Sequence, residues 1–63
     1  MLAGDVVFYP WHNAYVKYIV KHIDGDEIIA IEVKSHKLNW LNVADVLDYE
    51  QFKLKYNNEI IYE

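Results

Sequence analysis

The sequence predicts a mainly β domain, folded as a small barrel or a strongly bent sheet of about five short strands. Short runs of β-branched and aromatic residues are separated by turn-forming residues. The chain has 63 residues, of which 54% are hydrophobic and 16% aromatic. This composition excludes disorder, and the length limits the chain to one domain. We expect a single unit, residues 1–63, with its core at about residues 4–47 and an extension at residues 48–63.

The first two strands are predicted from the opening third of the chain. Four apolar residues at 6–9 form the first strand. Pro10 has no N–H to donate, so we expect that strand to end there, with Trp11 in a short loop. The second strand is predicted at residues 14–23, which are rich in β-branched and aromatic side chains.

A tight hairpin is predicted between the second and third strands. Asp24-Gly25 is typical of a type I′ turn, which needs positive φ at both central positions. The third strand is predicted at residues 28–33, and alternation divides its side chains between two faces. One face carries Ile28, Ala30 and Glu32, and the other carries Ile29, Ile31 and Val33. The second face is uniformly apolar, so we expect it to be the core face.

A polar loop at residues 34–37 leads to a fourth strand at residues 38–43, and the segment after it has two interpretations. In the first, Asp48 and Gln51 form a capping box at the start of a helix. In the second, residues 52–56 alternate as a strand and turn into a last strand. Capping and the placement of charge favour the helix, with residues 59–63 as a short strand or ordered tail.

The first three quarters of the chain resemble a Tudor-type SH3-like barrel. Gly4-Asp5 and Trp11 are similar to the opening of those domains, and residues 41–47 resemble their closing segment. The residues similar to their second strand are Tyr15, Ile19, Ile23 and Asp24. The spacing in that strand is one residue longer than in the family, which predicts a β-bulge.

The resemblance implies binding of methylated Lys or Arg in an aromatic cage, where ring faces attract a desolvated cation. It places Trp11 and Tyr15 at two of the four usual cage positions. The segment corresponding to the other two, residues 32–38, contains no aromatic residue.

Composition speaks against catalysis, metal binding and membrane insertion. There is no Cys, and the spacing of His12, His22 and His36 matches no zinc signature, so we expect no metal and no cofactor. Ser35 is the single Ser and lacks a nucleophile motif, so we expect no enzyme. No apolar run approaches ~20 residues, and no signal peptide is recognisable, so we expect a cytoplasmic protein.

An aromatic-rich edge is the predicted binding surface. Trp and Tyr dominate the energetics of protein interfaces, although they also serve as core residues. We expect a protein partner, bound without catalysis. The predicted surface consists of Tyr9, Trp11, Tyr15 and Trp40.

The charge suggests further functions. The six basic residues are all Lys against ten acidic ones, for a net charge of −4. This disfavours nucleic-acid binding, which stays an alternative together with self-association as a structural subunit. An acidic face and a composition typical of A·T-rich genomes suggest a phage or mobile-element protein that blocks a host enzyme. That face would comprise Asp24, Asp26, Glu27, Asp45, Asp48 and Glu50.

Overall fold

Five antiparallel strands form one sheet, which is followed by a short helix. The structure, a computed structural model, describes residues 1–12 and 14–55. The strand order is β4-β3-β2-β1-β5, so the predicted mainly β fold is confirmed, but the sheet is not closed. The elements are β1 (Val6–Trp11), β2 (Ala14–Asp24), β3 (Glu27–Glu32), β4 (Leu38–Asn42), a 3₁₀ turn (Val43–Asp45), β5 (Leu47–Asp48) and α1 (Tyr49–Lys55).

Strand β1 continues through Pro10 to Trp11, so the prediction that Pro10 ends it was wrong. The Val20 N–H donates to the Asp5 carbonyl, and bonded positions alternate along an antiparallel pair. The backbone nitrogen of Pro10 therefore points away from β2. Strand β5 pairs with β1 at Val7 and Phe8, before Pro10 is reached. The missing N–H consequently costs no ladder hydrogen bond.

The β2–β3 hairpin is present, but its turn lies one residue later than predicted. Asp24 pairs with Glu27, so the central residues are Gly25 and Asp26. Gly25 has φ of 63°, whereas Asp26 is not among the residues with positive φ. One positive φ at the first central position is the arrangement of a type II′ turn rather than type I′.

Strand β2 contains a β-bulge, as the residue spacing predicted. Val20 pairs with Ala30, but His22 already pairs with Ile29, so β2 holds one extra residue at Lys21. An extra residue reverses the alternation of the side chains that follow it. This is why Ile23 joins Val20 in the same core cluster.

The core lies on the face of the sheet that alternation did not select. Ile28 and Ala30 are fully buried, whereas Ile29 and Ile31 are half-buried on the other face. The predicted core face of β3 was therefore wrong. Glu32 at the end of the buried face made the other face look like the core face, although both faces carry apolar residues. The buried cluster consists of Val7, Tyr18, Val20, Ile28, Ala30 and Val46.

A smaller cluster on the opposite face anchors α1. Phe52 stacks on Phe8 with ring centroids 4.1 Å apart, and Tyr15 meets Phe52 edge-on at 5.2 Å. The predicted capping box is present: the Gln51 N–H donates to Asp48 Oδ1 at 2.8 Å, and the Asp48 N–H donates to Gln51 Oε1 at 3.1 Å. The helical interpretation is therefore confirmed over Tyr49–Lys55. The strand or tail predicted at residues 59–63 lies outside the described residues.

Candidate functional site

An aromatic groove of about 500 Å³ opens on the core face of the sheet. Strands β1 and β2 supply one wall, the end of β3 supplies a carboxylate, and β4 supplies the opposite wall. Alternation brings these side chains together, because each lies on the inward-facing positions of its strand. The lining residues are Tyr9, Trp11, Val16, Tyr18, Glu32, Asn39 and Leu41.

Three aromatic rings form the groove from floor to rim. Tyr18 is buried, Tyr9 is half-buried, and Trp11 is 57% exposed. The Tyr9 and Trp11 rings are 6.5 Å apart and inclined by 30°, and the Tyr9 and Tyr18 rings are 6.5 Å apart and perpendicular. Ring faces and edges thus surround one open space, and the outermost ring is accessible to a partner.

Glu32 supplies the charge of the groove. The pKa of Tyr18 is raised from its ordinary value of 10.0. Burial contributes most, followed by the negative charge of Glu32 and the nearby Tyr9, and these outweigh the hydrogen bond from Asn39, which acts in the opposite direction. Asn39 Nδ2 donates to Tyr18 Oη at 3.4 Å, and Ser35 Oγ donates to Glu32 Oε1 at 2.8 Å. The Tyr18 hydroxyl therefore stays neutral at physiological pH. Three ring systems and a carboxylate together favour a positively charged ligand.

The four residues predicted as a binding edge do not form one surface. Tyr9 and Trp11 line the groove. Tyr15 is 7% exposed and packs against Phe52, so its predicted surface position was wrong. Tyr15 directly precedes Val16, which lines the groove. Because neighbouring side chains of a strand point to opposite faces, Tyr15 points away from the groove. Trp40 is 59% exposed, but it lies on the same face as Ile29, away from the groove.

Five groove residues were not predicted from the sequence, and three of them, Tyr18, Glu32 and Asn39, supply polar groups to the groove. Each lies on a different strand, so their proximity depends on the order of strands in the sheet. One signal was available. Glu32 shares its face of β3 with Ile28 and Ala30, and a charged residue at the end of a buried face indicates that this end opens to solvent.

The six residues of the predicted acidic face are all exposed, and they belong to two parts of the fold. Asp24, Asp26 and Glu27 form the β2–β3 hairpin tip. The Val43 N–H donates to the Asp26 carbonyl, which holds the 3₁₀ turn containing Asp45 beside that tip. The remaining two, Asp48 and Glu50, belong to β5 and the first turn of α1.

The described residues contain neither a cluster of metal ligands nor a membrane-spanning helix. Within residues 1–12 and 14–55, no three His, Asp or Glu side chains converge as a metal site. His12 lies in the turn after β1 and His36 in the loop before β4, both with positive φ, and His22 lies on β2. No helix in the described part of the chain is long and apolar enough to cross a bilayer.

Comparison with known proteins gave no match to a family model, a curated protein or a solved structure. The composition and geometry of the aromatic groove are therefore the observations that indicate a function.

Proposed function

We propose that this chain is a non-enzymatic binding domain whose aromatic groove holds a cationic side chain of a protein partner. The supporting observation is that Tyr9, Trp11 and Tyr18 surround one open space together with the Glu32 carboxylate. A cation over an aromatic face gains about 0.5–1 kcal/mol when exposed and about 2 kcal/mol when desolvated. The carboxylate adds attraction of the same sign, and it repels the phosphates of nucleic acids.

The shape of the groove supports a side chain of a larger partner as the ligand. Its volume of about 500 Å³ lies within the range of small-ligand sites, but it is open to solvent rather than enclosed. Trp11 stands at the rim with 57% of its surface exposed, so a partner covering the groove also buries this ring. Buried Trp residues are frequent sources of interface energy.

The resemblance to Tudor-type SH3-like barrels supports the same function. Trp11 at the end of β1 corresponds to one cage position of that family. The other rings of this groove come from Tyr9 and Tyr18, whereas Tyr15, which the resemblance placed in the cage, lies in the core. The proposed site thus resembles the family's cage in its chemistry and differs from it in its set of rings.

The proposal is tested by nuclear magnetic resonance titration with a short peptide carrying one trimethyllysine. We expect shifts of the Tyr9, Trp11 and Tyr18 ring resonances. Loss of one cation–π partner in Trp11→Ala should weaken binding about fivefold or more. A peptide with the neutral tert-butyl isostere should bind much more weakly, because it matches the shape of the cation without its charge.

The matched control is Trp40→Ala. It removes an equally exposed Trp from the opposite face of the sheet and should leave the peptide affinity unchanged. Equal affinity for the charged and neutral peptides would overturn the proposal. So would equal losses in the two Trp variants.

A further inference from the structure

Within residues 1–12 and 14–55, strand β4 is an edge strand with an apolar outer surface. It ends the strand order, and its pairing with β3 is regular throughout. Leu38 and Trp40 are 62% and 59% exposed. Edge strands that must stay unpaired usually carry Pro, a bulge or an inward-pointing charge, and residues Leu38–Asn42 have none of these.

The ladder shows which main-chain groups face the free side of β4. The Lys37 carbonyl accepts from the Glu32 N–H at 2.8 Å. At the other end, the Val43 N–H donates to the Asp26 carbonyl at 2.8 Å. Bonded positions alternate along an antiparallel strand. The residues whose N–H groups point away from β3 are therefore Leu38, Trp40 and Asn42. The carbonyls of Leu38 and Trp40 point the same way, whereas the Asn42 carbonyl begins the 3₁₀ turn.

These groups are complementary to the same groups in a second copy. When two β4 strands pair antiparallel about a two-fold axis at Trp40, Leu38 lies opposite Asn42 of the second copy, and the two Trp40 residues lie opposite each other. The Trp40 pair exchanges two hydrogen bonds, and in each Leu38–Asn42 pair the Asn42 N–H donates to the Leu38 carbonyl. Opposed residues share a face. The two Trp40 rings then cover each other.

The charges at the two ends of β4 favour the antiparallel arrangement. Exposed Lys34 and Lys37 precede the strand, and these two positive charges outnumber the carboxylate of Glu32, which lies opposite Lys37. Exposed carboxylates lie near its other end, since Glu27 pairs with Asn42 and Asp45 follows in the 3₁₀ turn. A two-fold axis at Trp40 places the basic end of each copy against the acidic end of the other. Parallel pairing would place like charges together.

The outer face of the sheet continues the apolar surface. A row of aliphatic side chains crosses four strands on this face, formed by Val6, Ile19, Ile31 and Leu38. Ile29 lies beside Trp40 on the same face. Pairing the two β4 strands about Trp40 brings the Ile29–Trp40 pairs of both copies into one row, so each Trp40 ring gains apolar neighbours.

We infer that two copies of this chain associate through β4, about a two-fold axis at Trp40, to form one continuous sheet. The interface is isologous, as is usual for homodimers. The inference does not rest on the proposed function, because Trp40 faces away from the aromatic groove.

The test is analytical ultracentrifugation of the full chain over a wide range of concentration. We expect a reversible dimer whose dissociation constant rises at least about tenfold in Trp40→Lys, or about 1.4 kcal/mol. Trp11→Lys is the matched control, since it places the same charge at an equally exposed Trp on the other face, and it should leave dimerisation unchanged. A monomer at all concentrations, or equal effects of the two variants, would refute the inference.

Two further measurements identify the interface. Lys37→Glu should weaken the dimer, and adding Asp45→Lys should restore it, because the exchange reverses both charges of each complementary pair. Hydrogen exchange at the Leu38, Trp40 and Asn42 amides should slow as concentration rises. Fast exchange of these amides in the dimer would indicate that the two sheets associate face to face. Slow exchange in the monomer would indicate that residues 56–63 cover the edge of β4. Either result would contradict the inference.

Discussion

At the scale of single residues, Tyr18 connects the core to the groove. It is 7% exposed, belongs to the main buried cluster, and lies against Tyr9 and Asn39 at the floor of the groove. Burial and the negative charge of Glu32 both disfavour ionisation of its hydroxyl. The same residue thus stabilises the fold and keeps the groove floor neutral.

The raised pKa of Tyr18 predicts a loss of stability in alkaline solution. An acid whose pKa is higher in the folded state retains its proton there after the unfolded chain has lost it. The free energy of unfolding should therefore be unaffected below pH 10.0, the ordinary value, and fall as the pH rises through and above it. Urea denaturation at increasing alkaline pH measures this change.

The comparison for this prediction is Tyr18→Phe, which removes the titrating hydroxyl and should show a smaller decline. Tyr49→Phe alters an exposed ring on α1 and should decline as the unmodified chain does. If Tyr18→Phe and the unmodified chain lost stability in parallel, the alkaline effect would not originate at Tyr18.

At the scale of elements, α1 depends on a single buried side chain. Of its described side chains Phe52 is buried, and the helix spans seven residues, Tyr49–Lys55. A helix of that length is unstable by itself in water. The capping box sets where it begins, but the stacking of Phe52 on Phe8 holds it against the sheet.

Phe52→Ala should therefore destabilise the protein by about 3 kcal/mol or more, the usual cost of truncating a buried Phe. Leu54→Ala is the control on the same helix, because Leu54 is 85% exposed, and its effect should be within about 0.5 kcal/mol. Chemical denaturation measures both variants. Similar small losses in the two would show that Phe52 does not anchor α1.

At the scale of the whole molecule, the sheet is organised around β2 and β3. Strand β2 pairs on both sides along much of its length, with β1 and with β3. Strand β5 has two residues and pairs at two positions. Local opening is easiest where few buried contacts must break. The periphery, α1 and β5, should consequently open before the centre.

Native-state hydrogen exchange should reveal this order. The amides of β2 that bond within the sheet should exchange slowest, with a free energy of opening near that of global unfolding. The amides of α1 should exchange much faster, because its opening exposes mainly Phe52 and Phe8. Equal protection of α1 and β2 would mean that the helix and the sheet unfold as one cooperative unit.

Several features of this protein follow from local chemistry and were predicted from the sequence. Gly25 permits positive φ in the hairpin, and Asp48 and Gln51 form the helix cap. Runs of β-branched residues form the strands. Each of these preferences acts within a few residues of the chain. The spacing from Tyr15 to Ile23 also predicted the bulge.

Other features were decided by the tertiary structure. Both faces of β3 carry apolar residues, so the burial of Ile28 rather than Ile29 depends on which way the sheet curves. Alternation places Tyr15 and Tyr18 on opposite faces of β2, but it does not say that α1 packs on the first face and the groove opens on the second. The groove joins residues from four strands, and its composition depends on strand order and curvature. These are set by the packing of the whole chain, which local preferences do not specify.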